Sequence, residues 1–232
     1  MLDKEILQIQ DLFTILDEVF REPKKFWEDF YYDREKDIPF FKNEGPDENL
    51  VGYFNEGFMP SNVLELGCGP GRNAIYMAKQ SCEVDAIDLS ENAINWAIER
   101  AQENKATINF QCSSLFDIEL DLEKYDFIYD SGMFHHLTPH RRISYVEILK
   151  RTLKKDGRFG LVCFTPEGAL PTSDKEIYKE QSLKRGIGYT EERLRRIFER
   201  DFEILEFRKM KKPSSQELFG EDFLWAIFMQ KN

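Results

Sequence analysis

Three groups of residues in this chain have the types and spacing to do chemistry. The first is the run Val63-Leu64-Glu65-Leu66-Gly67-Cys68-Gly69-Pro70-Gly71-Arg72-Asn73. Apolar residues lead straight into a turn with three alternate glycines, and Ala74, Ile75, Met77 and Ala78 then follow at helical spacing. Glycines at such a junction turn the backbone sharply and admit a ligand closer than any Cβ would. The following helix start directs unpaired N–H groups at whatever sits there. A dinucleotide fingerprint needs Gly-x-Gly-x-x-Gly, and its last position is Arg72 here. Glu65, an acid at the strand end, would repel a pyrophosphate but suits a ligand carrying an ammonium or sulfonium group. An ordinary tight turn without ligand is the alternative.

The second group is Asp88 with Leu89, 19 residues beyond Gly69, closing Ala86-Ile87-Asp88-Leu89. At this point of an open α/β sheet a carboxylate offers two acceptor oxygens to a vicinal diol. Its rival reading is a turn acid before a helix, since Ser90 can cap residues 91–104. The third group is His135, His136 and His140, all the histidines of the chain within six residues.

These groups need a scaffold. Strands are expected at 62–66, 83–87, 107–111, 125–130 and 158–164, and helices at 72–80, 91–104, 139–155 and 190–200. Alternation of this kind predicts a parallel sheet with helices on both faces. Two late strands, 201–209 and 222–230, are separated only by residues 211–220, too few for a helical crossover, so this pair is expected to be antiparallel. Upstream, Ile6, Ile9, Leu12, Phe13, Leu16, Val19 and Phe20 have helical spacing over residues 3–21. A second helix is expected from Pro23 through Phe30. Residues 31–60 read as irregular and aromatic-rich, a lid or docking loop rather than a linker. Two parts follow: residues 1–60, helices and lid, and residues 61–232, a ligand-binding domain, within one compact unit.

The Glu-x-Gly-x-Gly-x-Gly turn after an apolar strand resembles motif I of the class I methyltransferases that use S-adenosyl-L-methionine (SAM). Tyr125-Asp126-Phe127-Ile128-Tyr129-Asp130 resembles the family's fourth motif, and Leu153-Lys154-Lys155-Asp156-Gly157 its turn before strand five. The likeness covers roughly residues 60–165 motif by motif. Within the family, Trp27, Pro39 and the Gly-Pro-Gly-Arg-Asn run are distantly similar to bacterial small-molecule enzymes of the tellurite-resistance and thiopurine type. The resemblance implies a Rossmann-like, doubly wound, seven-stranded, mostly parallel sheet with an antiparallel carboxyl-terminal strand, beneath an amino-terminal helical lid. It also implies methyl transfer to an O, N or S nucleophile of a small molecule (EC 2.1.1.-), leaving S-adenosyl-L-homocysteine.

Carried onto this chain, the cofactor would meet Glu65, Gly67, Cys68, Gly69, Gly71, Arg72 and Asn73. Asp88, Leu89, Ser114, Leu115, Asp130 and Ser131 would complete its contacts. Where the family places an acid for the adenine amine, this chain has Ser113-Ser114; Asp117 lies three residues too late. Residues after Asp130 should face the methyl group. His135 or His136 could then serve as a general base of near-neutral pKa. A structural role at a helix start, and a metal site using His136 and His140 four apart, are the alternatives. Thr138-Pro139 reads as N-cap and first helical residue, which leaves His136 outside the helix and argues against metal. His140 would belong to the helix and turn toward solvent. Arg141 and Arg142 fall in the first turn of that helix, where cations oppose the dipole; they read as solvated charges, with pairing of one of them to an acid or an anionic substrate group as the alternative.

Composition narrows the partners. With 43 acidic against 32 basic residues the net charge is −11, which disfavours nucleic acid as substrate. Cys68, Cys82, Cys112 and Cys163 are scattered and read as free thiols of a reducing, cytoplasmic setting. No leader pattern or membrane-length apolar run is evident. A monomer or homodimer is expected. The rival functions are a non-catalytic SAM-binding protein and a nicotinamide-dependent oxidoreductase, against which Glu65 and Arg72 weigh.

Overall fold

A computed structural model describes residues 5–215 and 217–232. Seven strands form one sheet: β1 (Asn62–Leu66), β2 (Glu83–Asp88), β3 (Asn109–Cys112), β4 (Tyr125–Ser131), β5 (Leu153–Phe164), β6 (Phe202–Lys209) and β7 (Leu224–Lys231). Their order is β3-β2-β1-β4-β5-β7-β6, parallel except that β7 runs antiparallel to both β5 and β6. Sheet, order reversal at β1/β4 and the final antiparallel pair agree with the expectation.

Strand residues alternate between two cores, as a period of two demands. Leu64, Leu66, Ile128 and Leu161 face one side. It is covered by α7 (Arg141–Thr152), α8 (Asp174–Glu180) and α9 (Glu191–Phe198) through Tyr145, Leu149, Ile177, Leu194 and Phe198. Val63, Phe127, Tyr129 and Val162 face the other. There α4 (Glu48–Asn55), α5 (Arg72–Lys79) and α6 (Glu91–Glu103) bury Leu50, Ala74, Met77 and Ile94. No helix among the described residues is long and apolar enough to cross a membrane.

Several boundaries differ from the sequence reading. The first helix, α1, spans Ile9–Asp17, and residues 3 and 4 of its expected range lie outside the described residues. Pro23 does open α2 (Pro23–Tyr32). The stretch 31–60 is not irregular throughout: it holds the short α3 (Pro39–Lys42) and all of α4. β5 begins at Leu153, because Leu153 already pairs with Tyr125 across a register shift in β4. Consequently α7 stops at Thr152 rather than 155. At its start His140 occupies the N-cap position, and the Thr138 carbonyl accepts from the Arg141 and Arg142 N–H groups, so Pro139 and His140 form a turn leading into the helix.

His140, Arg141 and Arg142 are buried, contrary to the solvated reading. His140 lies 2.7 Å from both Asp17 Oδ1 and Tyr178 Oη, and Arg141 pairs with the other Asp17 oxygen. Arg142 pairs with Asp174 of α8. Desolvation would raise the Asp17 pKa, but the hydrogen bonds from His140 and Arg141 outweigh it and hold the carboxyl below its usual range. The amino-terminal helix is thereby tied to the start of α7, and that is why these cations face inward.

A second buried polar cluster joins α4 to the glycine turn. Asp47, fully buried ahead of α4, ion-pairs with Arg72 at 2.5 Å. It accepts hydrogen bonds from Asn73 Nδ2 (3.1 Å) and Tyr129 Oη (2.7 Å), while its N–H donates to Asn73 Oδ1 (2.9 Å). Arg72 also donates to the Gly45 carbonyl and to Ser131 Oγ, each at 3.2 Å, and lies over the Phe219 ring. Removing one partner of such a pair leaves the other charge buried and uncompensated. Asp47→Ala is therefore expected to lower unfolding free energy by about 3–5 kcal/mol in urea titration. The exposed Arg34–Glu99 pair, with side chains 38% and 55% exposed, should contribute far less when Glu99→Ala is measured alongside. Equal small losses in both variants would show that the Asp47 cluster is not a structural keystone.

Candidate active site

The glycine turn takes the backbone through left-handed conformations, with φ of 63° at Gly67, 51° at Gly69 and 76° at Gly71. Two of these glycines are required for different reasons. A Cβ on Gly71 would lie 3.0 Å from the Ala97 methyl, so glycine lets α5 approach α6. A Cβ on Gly69 would lie 2.9 Å from the Tyr31 hydroxyl, so glycine keeps open the space that the end of α2 now faces.

Asp88 closes β2 beside this turn. Its Oδ2 accepts the Gly69 N–H at 2.8 Å and its Oδ1 the Ser90 N–H at 2.9 Å. Burial pushes its pKa up to about 6 in spite of those bonds. Glu65, next to last in β1, is 2% exposed, and burial pushes it up to about 8, with Arg72 and the Asn73 side chain pulling the other way. Its Oε2 has no hydrogen-bond partner among the described residues. Two carboxyls at adjacent strand ends thus sit in a poorly solvated site, and a ligand bringing positive charge or hydroxyl donors would relieve both. Cys68 is buried between them, its N–H bonded to the Ile87 carbonyl.

Other expected contacts have their polar atoms committed elsewhere. Arg72 and Asn73 hold Asp47, and Ser131 Oγ accepts from Arg72. Asp130 falls on the opposite face of β4 from Tyr129 and is fully buried. Its Oδ2 accepts from Tyr145 Oη (2.6 Å) and its Oδ1 from the Met133 N–H (2.8 Å), which caps the 3-10 turn Phe134–His136. Ser114 Oγ accepts the Phe116 N–H at 3.1 Å and so closes its own loop, beside buried Leu115; Asp117 is exposed. Leu89 is half-buried at the rim.

The two adjacent histidines are not equivalent. His135 stacks on Phe164, with ring centroids 3.8 Å apart, and its Nδ1 accepts the Phe164 N–H at 3.3 Å. Its carbonyl accepts from Ile187 of the segment after β5. His136 is half-buried, edge-on to Trp27 at 4.9 Å, and neither ring nitrogen has a hydrogen-bond partner among the described residues. Desolvation, then the nearby Arg21 charge, pushes His136 down to about 3, and burial places His135 well below its ordinary value. The near-neutral pKa expected from residue type is therefore not what this environment produces.

Residues that the sequence reading passed over complete the site. Glu28 of α2 accepts from Ser90 Oγ (3.0 Å) and from the Glu91 and Asn92 N–H groups (2.6 and 3.1 Å), clasping the start of α6. This holds Tyr31 over Gly69, within a cluster that includes Trp27, Phe30, Phe41 and Trp96. The density of aromatics between 26 and 41 was the available signal for this cover; Glu28 and Asp47 carry none, because their partners are distant in sequence.

The model of a methyltransferase domain matches residues 63–157, the span from the glycine turn to the start of β5. An uncharacterized methyltransferase of Schizosaccharomyces pombe, C750.03c, is 31% identical over 109 residues, which cover 47% of this chain and 75% of that protein. The probable S-adenosyl-L-methionine-dependent methyltransferase TehB of Haemophilus influenzae is 28% identical over 152 residues, 65% of this chain and 49% of TehB. In fold the chain is similar to the crystal structure of the Burkholderia thailandensis 1,6-didemethyltoxoflavin-N1-methyltransferase with bound 1,6-didemethyltoxoflavin and S-adenosylhomocysteine. The TM-score is 0.68 at 18% identity, over 100% of this chain and 93% of that one. With its glycine turn, its acids at the ends of β1 and β2 and these relatives, the chain belongs to the class I S-adenosylmethionine-dependent methyltransferases and takes S-adenosylmethionine as its cofactor.

Proposed function

We propose that this enzyme methylates an oxygen, nitrogen or sulfur nucleophile of a small molecule, at the carboxyl ends of β1, β2 and β4 and beneath residues 1–60. The observation that carries the reading is the pair of buried, under-solvated carboxyls, Glu65 and Asp88, around a glycine turn covered by Tyr31. The small-molecule acceptor named for the toxoflavin enzyme supports the same substrate scale.

The residues fit the cofactor. The orphaned Glu65 oxygen suits its cationic end, and Asp88, fixed by the Gly69 and Ser90 N–H groups, has lone pairs left for ribose hydroxyls. Cys68, Leu89, Ser114 and Leu115 form the rim on the adenine side, and Gly69 admits close approach of the backbone. We assign Arg72 and Asn73 to holding the turn, and Asp130 to holding the loop after β4. When bound, S-adenosylmethionine supplies a methyl group activated by its sulfonium. The chain's part is to align the acceptor and exclude water. His136, neutral across physiological pH, accepts a hydrogen bond from the acceptor and orients its lone pair; His135 braces His136 from behind through Phe164.

Three outcomes test this. Because burial raises Glu65 to about 8 and Asp88 to about 6, Glu65 is largely protonated and Asp88 partly so at the acid end of this range, and a cationic ligand selects their ionised forms. SAM affinity should therefore rise from pH 6 to pH 8 with net proton release, measured by calorimetry in buffers of different ionisation enthalpy. Asp88→Ala should cost about 1.5–3 kcal/mol of affinity. Affinity independent of pH, and unharmed by Asp88→Ala, would remove both acids from the site.

His136→Ala should slow transfer by roughly 10- to 100-fold through loss of alignment, with SAM affinity preserved. The wild-type rate between pH 6 and 9 should show no histidine titration, and any pH dependence should track the acceptor. A titration that disappears in His136→Ala would reinstate it as a general base.

Residues 23–42 act as a lid latched by Glu28. Glu28→Gln should speed amide exchange in that segment at least about threefold while leaving β1 and β4 protected. Exchange unchanged by the substitution would mean that the segment is fixed without the latch.

A further inference from the structure

Arg21, between α1 and α2, is an exposed cation with no ion-pair partner among the described residues, in a chain of net charge −11. The neighbouring Arg141 and Arg142 each have an aspartate. The adjacent acid, Glu22, does not serve Arg21: its two carboxylate oxygens accept the Lys24 and Lys25 N–H groups at 2.8 and 2.6 Å to cap α2. The Arg21 guanidinium instead lies 3.5 Å over the Phe26 ring. Phe26 is edge-on to Trp27 at 5.0 Å, and Trp27 edge-on to His136 at 4.9 Å. A run of aromatic rings in edge-on contact thus connects an unneutralised cation to His136, whose ring nitrogens have no hydrogen-bond partner among the described residues.

Stacking on Phe26 fixes the plane of the guanidinium and leaves its N–H edge available, the geometry that matches a carboxylate fork. An acidic protein repels small anions through its overall field, so a bare cation at the entrance is what an anionic acceptor would need.

We propose that the methyl acceptor is a flat, apolar molecule bearing a carboxylate, which Arg21 grips while His136 orients the nucleophilic end. This rests on the reading of the site as a small-molecule methyltransferase. The reaction is balanced within that reading: the acceptor heteroatom forms a bond to the methyl carbon, the methyl–sulfur bond breaks with its electron pair staying on sulfur, and the acceptor proton passes to solvent.

The test uses the full chain saturated with S-adenosylhomocysteine and titrated calorimetrically with 4-hydroxy-, 4-amino- and 4-mercaptobenzoate. The three corresponding primary amides and phenyl phosphate serve as comparison arms. The expected result is binding of at least one benzoate about tenfold or more tightly than its amide. Arg21→Gln should collapse that preference to within about threefold, and Arg21→Lys should keep part of it, since an ammonium holds the charge without the fork. S-adenosylhomocysteine affinity should be unchanged in both variants. Equal affinity for acids and amides, a preference that survives Arg21→Gln, or no benzoate binding at millimolar concentration would each overturn the proposal. Tighter binding of phenyl phosphate than of any benzoate, lost in Arg21→Gln, would overturn the carboxylate in favour of a phosphate ester. Failure to bind S-adenosylhomocysteine at all would instead strike the cofactor-site reading on which the proposal rests.

Discussion

The buried Asp47–Arg72 pair is the constraint on which the rest of the site depends. A guanidinium at the first residue of α5 opposes the helix dipole and would not remain buried without a partner. Asp47 supplies that partner from outside the sheet domain, and Asn73 and Tyr129 satisfy much of its remaining hydrogen-bonding capacity. One carboxylate therefore locks together the start of α4, the start of α5 and the middle of β4. The glycine turn, whose left-handed residues store no side-chain contacts of their own, is held at both ends: Asp88 fixes Gly69, and Asp47 fixes Arg72 and Asn73. With Arg72 occupied in this way, one oxygen of buried Glu65 is left without a hydrogen-bond partner among the described residues.

Among the ties that attach the amino-terminal segment, three are made by acids of its successive helices and lead-ins. Asp17 ties α1 to His140 and Arg141, Glu28 ties α2 to the start of α6, and Asp47 ties the lead-in of α4 to the glycine turn. Between these ties the chain presents aromatic rings, and Tyr31 among them stands over Gly69. Polar ties of this kind are directional and fix register, whereas the aromatic cluster supplies area.

The neighbouring histidines show how residue type and environment diverge. Two identical side chains, adjacent in sequence, face different tasks because the 3-10 turn that Asp130 caps rotates one against Phe164 and the other toward Trp27. Burial removes the protonated form of both from the physiological range, so whatever His136 contributes is geometric and hydrogen-bonding rather than a proton store.

By itself the sequence determined the order and direction of the strands, the glycine turn and the acids at the ends of β1 and β2. These are encoded locally: a period of two, a helix period, and residues whose backbone freedom or charge acts within a few positions of themselves. Local signals also marked Pro23 as a helix start. Tertiary structure alone decided the rest. Whether Arg72, Arg141 and His140 face solvent depends on Asp47 and Asp17, acids that lie 25 to 124 residues away and carry no local signature. Asp130 was legible as the end of β4, and alternation along the strand sets its face, but that Tyr145 and the Met133 N–H claim its carboxylate is decided by the packing of α7 and of the turn after β4. A local motif can specify a backbone shape, but a buried charge must be matched by whichever group the fold brings to it, and that choice is made by packing.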